Sequence, residues 1–388
     1  MKKKVIFVLD NLLGGGAEKV LIEILNNFDY ELFDVELLLL TKEGKYIDKL
    51  NNNIKLTYIF NFIGKSKINI CIQKIIRKIL FYIIIYMNPK FIYKFIFNKN
   101  SDIIVAFMEG ITTKIVANIK STKKIAWIHT DVSKYKWYKY YFINEKEEME
   151  CYKQFDKIIC VSDVCRNGFI NTYGNQFDNK VIKVYNPINH FIVKQKSLED
   201  NEEIKNDNDI KKLCYIGRLE PEKGIMRLLK ILYEIKSENI DFKLSIIGEG
   251  SQKDSINKYI KEHDLNSVVN LYGFQENPYK YMYASDIIVS PSYFEGFSLI
   301  TAEALILNKV IVATDSGGPT EILNNGKYGY VCKNDDVELK KSIIKMIIDE
   351  KLFEKYKNIK KDIINEFEIT NVLKKIYSII GEVDKKNE

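Results

Sequence analysis

Short, almost wholly apolar runs recur along the chain, each followed by a stretch whose apolar residues fall three and four apart. Val5–Leu9, Val35–Leu40, Ile54–Ile59, Ile103–Phe107, Ile125–Ile128, Lys157–Val161 and Val181–Tyr185 are the strand candidates of the first half. Leu213–Ile216, Phe242–Ile247, Val268–Leu271, Ile287–Val289, Val310–Ala313 and Tyr328–Val331 are those of the second. Helical patterns lie between them, among them Ala17–Asn27, Lys223–Ser237 and Ser251–Glu262. Strands so continuously apolar are covered on both faces, which calls for parallel sheets with helices on either side. Between the two series, residues 194–211 read K-Q-K-S-L-E-D-N-E-E-I-K-N-D-N-D-I-K, the composition of an exposed linker. The pattern predicts an α/β chain of two doubly wound, Rossmann-like domains, 1–190 and 212–368, joined by a polar linker at 191–211. Ligands of such sheets bind at the carboxyl ends of the strands, where strand order reverses, and the cleft between two facing domains is the default site.

Composition supports this division. The 388 residues exceed one typical core, and 46% hydrophobic residues with 25 Tyr and 21 Phe can fill two, which excludes global disorder. The net charge of +7 is uneven: residues 1–190 hold 29 bases and 19 acids, the remainder 30 bases and 33 acids. The positive field of the first half points to an anionic partner there. Six cysteines without a C-x-x-C, beside three histidines, argue against a zinc site and for reduced thiols in a cytoplasmic protein. Met1-Lys2-Lys3-Lys4 before Val5–Leu9 resembles a signal peptide, but the apolar run is too short, and Asp10-Asn11 ends it. The longest apolar run, Ile79–Met87, falls well short of a membrane span, so the expectation is a soluble or peripheral protein.

The basic surplus is concentrated. Residues 65–99 contain Lys65, Lys67, Lys74, Arg77, Lys78, Lys90, Lys94 and Lys99 and no acid. Ile68, Ile72, Ile75, Ile76, Ile79 and Ile83 follow helical spacing, with Lys67, Lys74 and Lys78 on another face; Asn88-Pro89 then breaks the helix before an aromatic-rich second one. A basic, aromatic amphipathic pair fits an anionic membrane surface, where each Lys or Arg contributes about 1 kcal/mol. The bland alternative is an apolar face packed on the sheet with lysines in water. Nucleic acid is not expected, because the aromatics interleave with aliphatics that read as buried or lipid-facing.

Candidate chemistry gathers at strand ends. Gly14-Gly15-Gly16-Ala17-Glu18 joins the first strand to its helix; it is not G-x-G-x-x-G, yet it lets a ligand approach backbone amides at a helix start. His129 closes the strand Ile125–Ile128, followed by Tyr135, Trp137, Tyr138, Tyr140 and Tyr141, aromatic faces on which sugars stack. In the second half Arg218 and Lys223 lie in the turn G-R-L-E-P-E-K-G, where guanidinium, ammonium and helix dipole suit a diphosphate. Gly248 and the Gly273-Phe274 turn end the next two strands, and Glu295 and Glu303 bracket the sequence E-G-F-S-L-I-T-A-E.

These residues resemble a family. G-R-L-E-P-E-K-G at 217–224, the two glutamates within S-P-S-Y-F-E-G-F-S-L-I-T-A-E-A-L, G-G-G-A-E near the start and V-S-D-V-C-R-N-G-F after Lys157–Val161 are similar to the retaining GT-B glycosyltransferases of family four. The resemblance covers nearly the whole chain. It implies a nucleotide-sugar donor, with UDP as the nucleotide, no required metal or other cofactor, and a glycan or polyprenyl-linked acceptor. It implies that Arg218 and Lys223 hold the diphosphate in place of a cation and that Glu303 takes the ribose hydroxyls. It places Glu295 on the donor sugar near the amides of Phe297, Ser298 and Leu299, with Gly273-Phe274 bordering the base. His129 is then the histidine that touches the sugar, and Gly15 and Gly16 face the diphosphate. The segment at 369–388 is expected to pack back on the first domain.

Physical chemistry agrees with that assignment. Breaking a glycosyl–phosphate bond builds negative charge on the diphosphate, which two cations in a dry site stabilise. Glu303, about two turns beyond Glu295 along a following helix, leaves only one acid near the sugar, unlike the flanking pair of retaining hydrolases. That spacing is compatible with the mechanism the resemblance implies, same-face attack with the leaving phosphate taking the acceptor's proton. The expected setting is capsule, exopolysaccharide or lipopolysaccharide assembly in bacteria, peripheral on the inner face of the membrane. Two alternatives stay open: a nucleotide-sugar 2-epimerase of the same architecture, and a non-catalytic accessory subunit of a glycosyltransferase pair.

Overall fold

The computed structural model describes residues 2–60, 75–76, 78–79, 82–86, 101–119, 123–200 and 210–385. The chain divides into two compact units, Met1–Pro187 together with Ile369–Glu388, and Ile188–Glu368.

Among the described residues, unit 1 holds a seven-stranded sheet: β1 (Lys3–Leu9), β2 (Phe33–Thr41), β3 (Lys55–Phe60), β4 (Ile103–Ala106), β5 (Lys123–Ile128), β6 (Lys157–Cys160) and β7 (Val181–Lys183). They lie in the order β3-β2-β1-β4-β5-β6-β7, with every pairing parallel. The central strand β1 pairs Val5 with Val35 on one side and with Ile103 on the other. Val5, Phe7 and Val8 are fully buried there, each contributing roughly 1.5–3 kcal/mol. The C-terminal helix Ile369–Lys385 belongs to this unit. Its Tyr377 ring packs against Phe28 and Phe33, and its hydroxyl oxygen accepts from the Asp29 amide at 2.8 Å.

Unit 2 carries β8 (Lys212–Ile216), β9 (Lys243–Ile247), β10 (Val269–Gly273), β11 (Ile287–Ser290), β12 (Val310–Thr314) and β13 (Tyr330–Cys332). Their order is β10-β9-β8-β11-β12-β13, again all parallel. The helix Ile225–Ser237 buries Leu228, Leu229, Ile231, Leu232 and Ile235, an i, i+3, i+4 stripe, in the core built on these strands. Both sheets are doubly wound, as the pattern of apolar runs predicts.

The polar segment read as a linker departs from expectation. It begins as the helix His190–Ser197, capped by Asn189 and belonging to unit 2. Val193 is buried, and Asn277 Nδ2 donates to Lys196 O at 2.8 Å. The polar composition hid one apolar anchor and a backbone carbonyl held by a side chain distant in sequence. Residues 201–209 of that expected linker lie outside the described residues.

Candidate active site

In unit 2 strand order reverses between β8 and β11, so the loops that leave these strands lie side by side. β8 runs into Gly217 and Arg218, and the Tyr215 hydroxyl donates to Arg218 O at 2.8 Å. Leu219 N donates to Glu249 O at 2.9 Å, tying this loop to the one after β9. That approach requires glycine at 248, where φ is +149° and a Cβ would stand 1.8 Å from Gly217 O. A tight turn at Pro221–Lys223 and the left-handed Gly224, at φ +71°, then deliver the chain into its helix.

The charges of the two loops meet. Lys223 Nζ lies 2.8 Å from Glu295 Oε1, with side chains 20% and 16% exposed, and Ser292 Oγ donates to the same oxygen at 2.9 Å. Arg218 remains largely exposed and pairs within its own loop, Nη2 to Glu222 Oε1 at 2.8 Å. The structure therefore joins Lys223 to Glu295 across the switch point, whereas Arg218 has a separate acidic partner.

Several groups hold the Glu295 loop. Its amide donates to Ser316 O at 2.8 Å, and Gly318 N returns a bond to Glu295 O at 2.9 Å. The buried Arg227 donates from Nε to Asp336 Oδ1 at 2.8 Å and from Nη1 to Asn334 Oδ1 at 2.6 Å, and its guanidinium lies 4.5 Å from the Tyr293 ring centroid. Asn334 Nδ2 in turn donates to Tyr293 O at 2.8 Å.

Ser298 then adopts φ +74°, ψ +84°, a strained choice for a residue with a side chain, and its hydroxyl caps Thr301 N. The helix starts only at Leu299. Glu303 is therefore about one turn into it, not two turns beyond Glu295 on a continuous helix; the left-handed Ser298 separates the two acids. Glu303 is buried and accepts from the Tyr279 hydroxyl at 3.1 Å. Phe297 is buried edge-on against Phe367, Gly273 takes φ +69° and its carbonyl accepts from Gly248 N at 2.8 Å, and Phe274 is exposed.

Unit 1 reverses strand order between β1 and β4. After β1, Gly14 takes φ +125°, Gly15 caps the helix and Gly16 is its first residue. After β4 comes Glu109, and after the adjacent β5 comes His129. Glu109 Oε1 accepts from His129 N at 2.8 Å, Thr130 N at 2.7 Å and Thr130 Oγ1 at 2.8 Å. The His129 ring lies 3.0 Å through Nε2 from Phe107 O and near-parallel to Trp127, and enclosure pushes its pKa down to about 4. Trp137 Nε1 donates to Thr130 Oγ1 at 3.0 Å, and its ring meets Tyr135 and Tyr141, so this aromatic sits beside His129's own loop.

Sequence reasoning missed Glu109, Tyr279 and Arg227, and held Ser292 only as part of the S-P-S-Y-F-E motif, without a role. Glu109-Gly110, an acid and a glycine closing an apolar strand, is the signal that Glu295-Gly296 also gives. Arg227 and Tyr279 meet their partners from helices, with no local signal. Of the basic stretch, Lys67, Lys74, Arg77, Lys90 and Lys94 lie outside the described residues. Lys78 is exposed, as are Ile75, Ile76, Ile79, Tyr82 and Tyr86, while Ile84 is buried with Leu40, Ile111 and Ile115. Among the described residues no helix is long and apolar enough to cross a membrane.

Residues 196–364 match the family model described as glycosyl transferases group 1. That stretch, somewhat under half of the chain, is what is similar to the family. The match covers most of unit 2, including Arg218, Lys223, Glu295 and Glu303. The chain is 34% identical over 177 residues, 45% of itself and 46% of the relative, to the N-acetylgalactosamine-N,N'-diacetylbacillosaminyl-diphospho-undecaprenol 4-alpha-N-acetylgalactosaminyltransferase of Campylobacter jejuni. It is 26% identical over 238 residues, 60% of itself and 45% of the relative, to the poly(ribitol-phosphate) alpha-N-acetylglucosaminyltransferase of Staphylococcus aureus. The aligned part thus spans about half the length of the curated relatives. Among solved structures it is similar to Anabaena Alr3699/HepE in complex with UDP, with a TM-score of 0.73 and 17% identity over 98% of this chain and 100% of that one.

Proposed function

We propose that this chain is a retaining, metal-independent glycosyltransferase that moves a sugar from a UDP-sugar to a lipid-linked or cell-surface glycan. The observation that carries the reading is the Lys223–Glu295 pair at the β8/β11 switch point, beside the exposed Arg218. Cation and carboxylate sit where a doubly wound sheet receives a phosphorylated ligand. The UDP complex of the Anabaena protein and the undecaprenol-linked acceptor in the Campylobacter relative's name support the donor and acceptor classes.

In this reading Arg218 and Lys223 hold the diphosphate, Glu303 the ribose and Glu295 the sugar. The Phe297–Leu299 turn, Gly248 and Gly273-Phe274 border the nucleotide, while Gly15, Gly16 and His129 of unit 1 keep the diphosphate and sugar roles that the resemblance implies. The acceptor hydroxyl attacks the anomeric carbon from the face that the diphosphate leaves. As the carbon–oxygen bond breaks, its electron pair goes to the diphosphate oxygen, and the acceptor's proton passes to the departing phosphate. The two cations stabilise the growing charge. Exposed Ile75, Ile76 and Ile79 beside Lys78 support peripheral docking on an anionic leaflet from the cytoplasmic side.

The test is thermal shift against UDP-, GDP-, ADP- and dTDP-sugars, followed by turnover with a polyprenyl-diphosphate-linked glycan and NMR of the anomeric configuration. A UDP-sugar should raise the melting point, and transfer should retain the donor's configuration. The transferase reading fails if no nucleotide sugar stabilises the chain, or if free monosaccharide is released without acceptor, as a 2-epimerase would do. A trapped covalent glycosyl-Glu295 adduct overturns the same-face mechanism.

A further inference from the structure

Glu109 offers one carboxylate oxygen to three donors of a single loop, and none of the proposed roles uses it. Oε1 accepts from His129 N, Thr130 N and Thr130 Oγ1 at 2.7–2.8 Å. The same strand-end turn holds the other end of the histidine: Phe107 O faces His129 Nε2 at 3.0 Å. A carbonyl can only accept, so Nε2 carries the proton and Nδ1 keeps a lone pair for a hydroxyl donor. The clamp extends further. Thr130 Oγ1, donating to Glu109, accepts from Trp137 Nε1 at 3.0 Å. At Gly110, φ +83°, a Cβ would lie 2.7 Å from the Tyr141 ring and 3.2 Å from that of Trp137, so the turn is closed over by these aromatics. Glu109 is 2% exposed; burial raises its pKa above the ordinary carboxylate value, and these hydrogen bonds counter that only in part.

We propose that Glu109 is the positioning residue for His129: through one acceptor oxygen it fixes the His129–Thr130 backbone and the Nε2–H tautomer, presenting Nδ1 as an acceptor to the donor sugar. This last clause rests on the reading of His129 given above; the clamp itself does not. All three bonds end on Oε1, so an amide oxygen at that place serves as well. Glu109→Gln should keep the geometry, whereas Glu109→Asp, one methylene shorter, and Glu109→Ala should release it.

The experiment is nitrogen NMR of histidine-labelled full-length chain between pH 5 and 8, where the sequence contributes only three histidines. In the wild type and in Glu109→Gln, His129 should remain a single Nε2–H tautomer that does not titrate in this range. In Glu109→Ala and Glu109→Asp it should become a tautomer mixture that titrates toward the ordinary histidine value. Should the alanine variant not fold, the Gln and Asp variants decide: both displaced, or neither, overturns the proposal. In turnover of the UDP-sugar that stabilises the chain, Glu109→Ala should lower kcat by about 10- to 100-fold, the effect of misplacing a group by about an ångström. UDP affinity should stay within about twofold of the wild type, and in a His129→Ala background Glu109→Ala should add less than about twofold, since the two act as one unit. Independent, multiplying losses indicate a merely structural role and overturn the proposal. Full turnover by His129→Ala defeats the assignment of His129 to the sugar, leaving the tautomer measurement to judge Glu109 on its own.

Discussion

Lys223 Nζ and Glu295 Oε1 stand 2.8 Å apart, so the cation assigned to the diphosphate is already neutralised by the carboxylate assigned to the sugar. On the proposed reading, a bound nucleotide takes over that ammonium and releases Glu295 toward the sugar. Glu295→Gln removes the competitor. UDP alone should bind this variant as tightly as the wild type or several-fold tighter, while transfer falls by at least about a hundredfold. Lys223→Ala should weaken UDP by about ten- to a hundredfold, the contribution of one hydrogen bond to a charged group. Calorimetric titration with UDP separates the two. Equal weakening by both substitutions would show that the pair acts as a structural brace.

Arg227 braces the same loop from behind. Its fork joins Asp336, Asn334 and Tyr293, three groups from two loops, inside a buried environment. Arg227→Ala should destabilise unit 2 by about 2–4 kcal/mol, because it strands the side-chain oxygen of Asn334 and empties a packed site. Arg227→Lys should recover little, since an ammonium cannot span Asp336 and Asn334 and stack on Tyr293 at once. Urea melts measure both, and near-complete recovery by lysine would refute the bridging role.

Two glycines separate strain from collision. Gly14 takes φ +125° with nothing within 4 Å of a built Cβ, whereas at Gly248 the Cβ would strike Gly217 O at 1.8 Å. Gly14→Ala should cost about 1–2 kcal/mol of backbone strain. Gly248→Ala should cost more than about 3 kcal/mol, because the loops after β8 and β9 must part, and it should weaken UDP binding as well. The ordering of the two in denaturant melts, and the UDP loss confined to Gly248→Ala, check the argument.

The doubly wound fold was legible because parallel strands buried on both faces announce themselves: all thirteen apolar runs became strands, with ends within two residues of expectation. The placement of Arg218, Lys223 and Glu295 in the loops after strands was legible for the same reason, since each follows one of these runs. What stayed hidden depended on distance along the chain. Tyr279 reaches Glu303 from 24 residues away and Arg227 reaches Asn334 from 107. The left-handed Ser298 was invisible too, because serine does not advertise a positive φ as glycine does. The apolar spacing around Ile75, Ile76 and Ile79 was open to two readings, a face packed on the sheet or one turned to lipid. Their exposure is the feature that the packed reading did not anticipate.

Glu148 gives a pH dependence of known sign. Its side chain is buried behind the Glu109 turn, and burial, aided by the charges of Glu109 and Glu145 and opposed by a hydrogen bond from Tyr173, pushes its pKa up to about 7. The folded state therefore holds a proton that the unfolded chain releases near the ordinary carboxylate value. The stability linked to this proton is fully present below pH 4.5 and is lost as pH rises from there through about 7. A displacement of this size corresponds to roughly 3 kcal/mol. His129 works in the opposite direction: with its pKa lowered to about 4, stability falls as pH drops from 6.5 toward that value. The two slopes oppose each other in mildly acidic solution, which flattens the wild-type profile there. Glu148→Gln removes one of them. The variant should match the wild type within about 1 kcal/mol at pH 5 and exceed it by about 2–3 kcal/mol at pH 8.5, where the wild type must bury an ionised carboxylate. Urea melts at pH 5, 7 and 8.5 read this directly. A stability difference that stays constant across the series would mean that Glu148 titrates alike in the folded and unfolded chain, and that burial does not govern its proton.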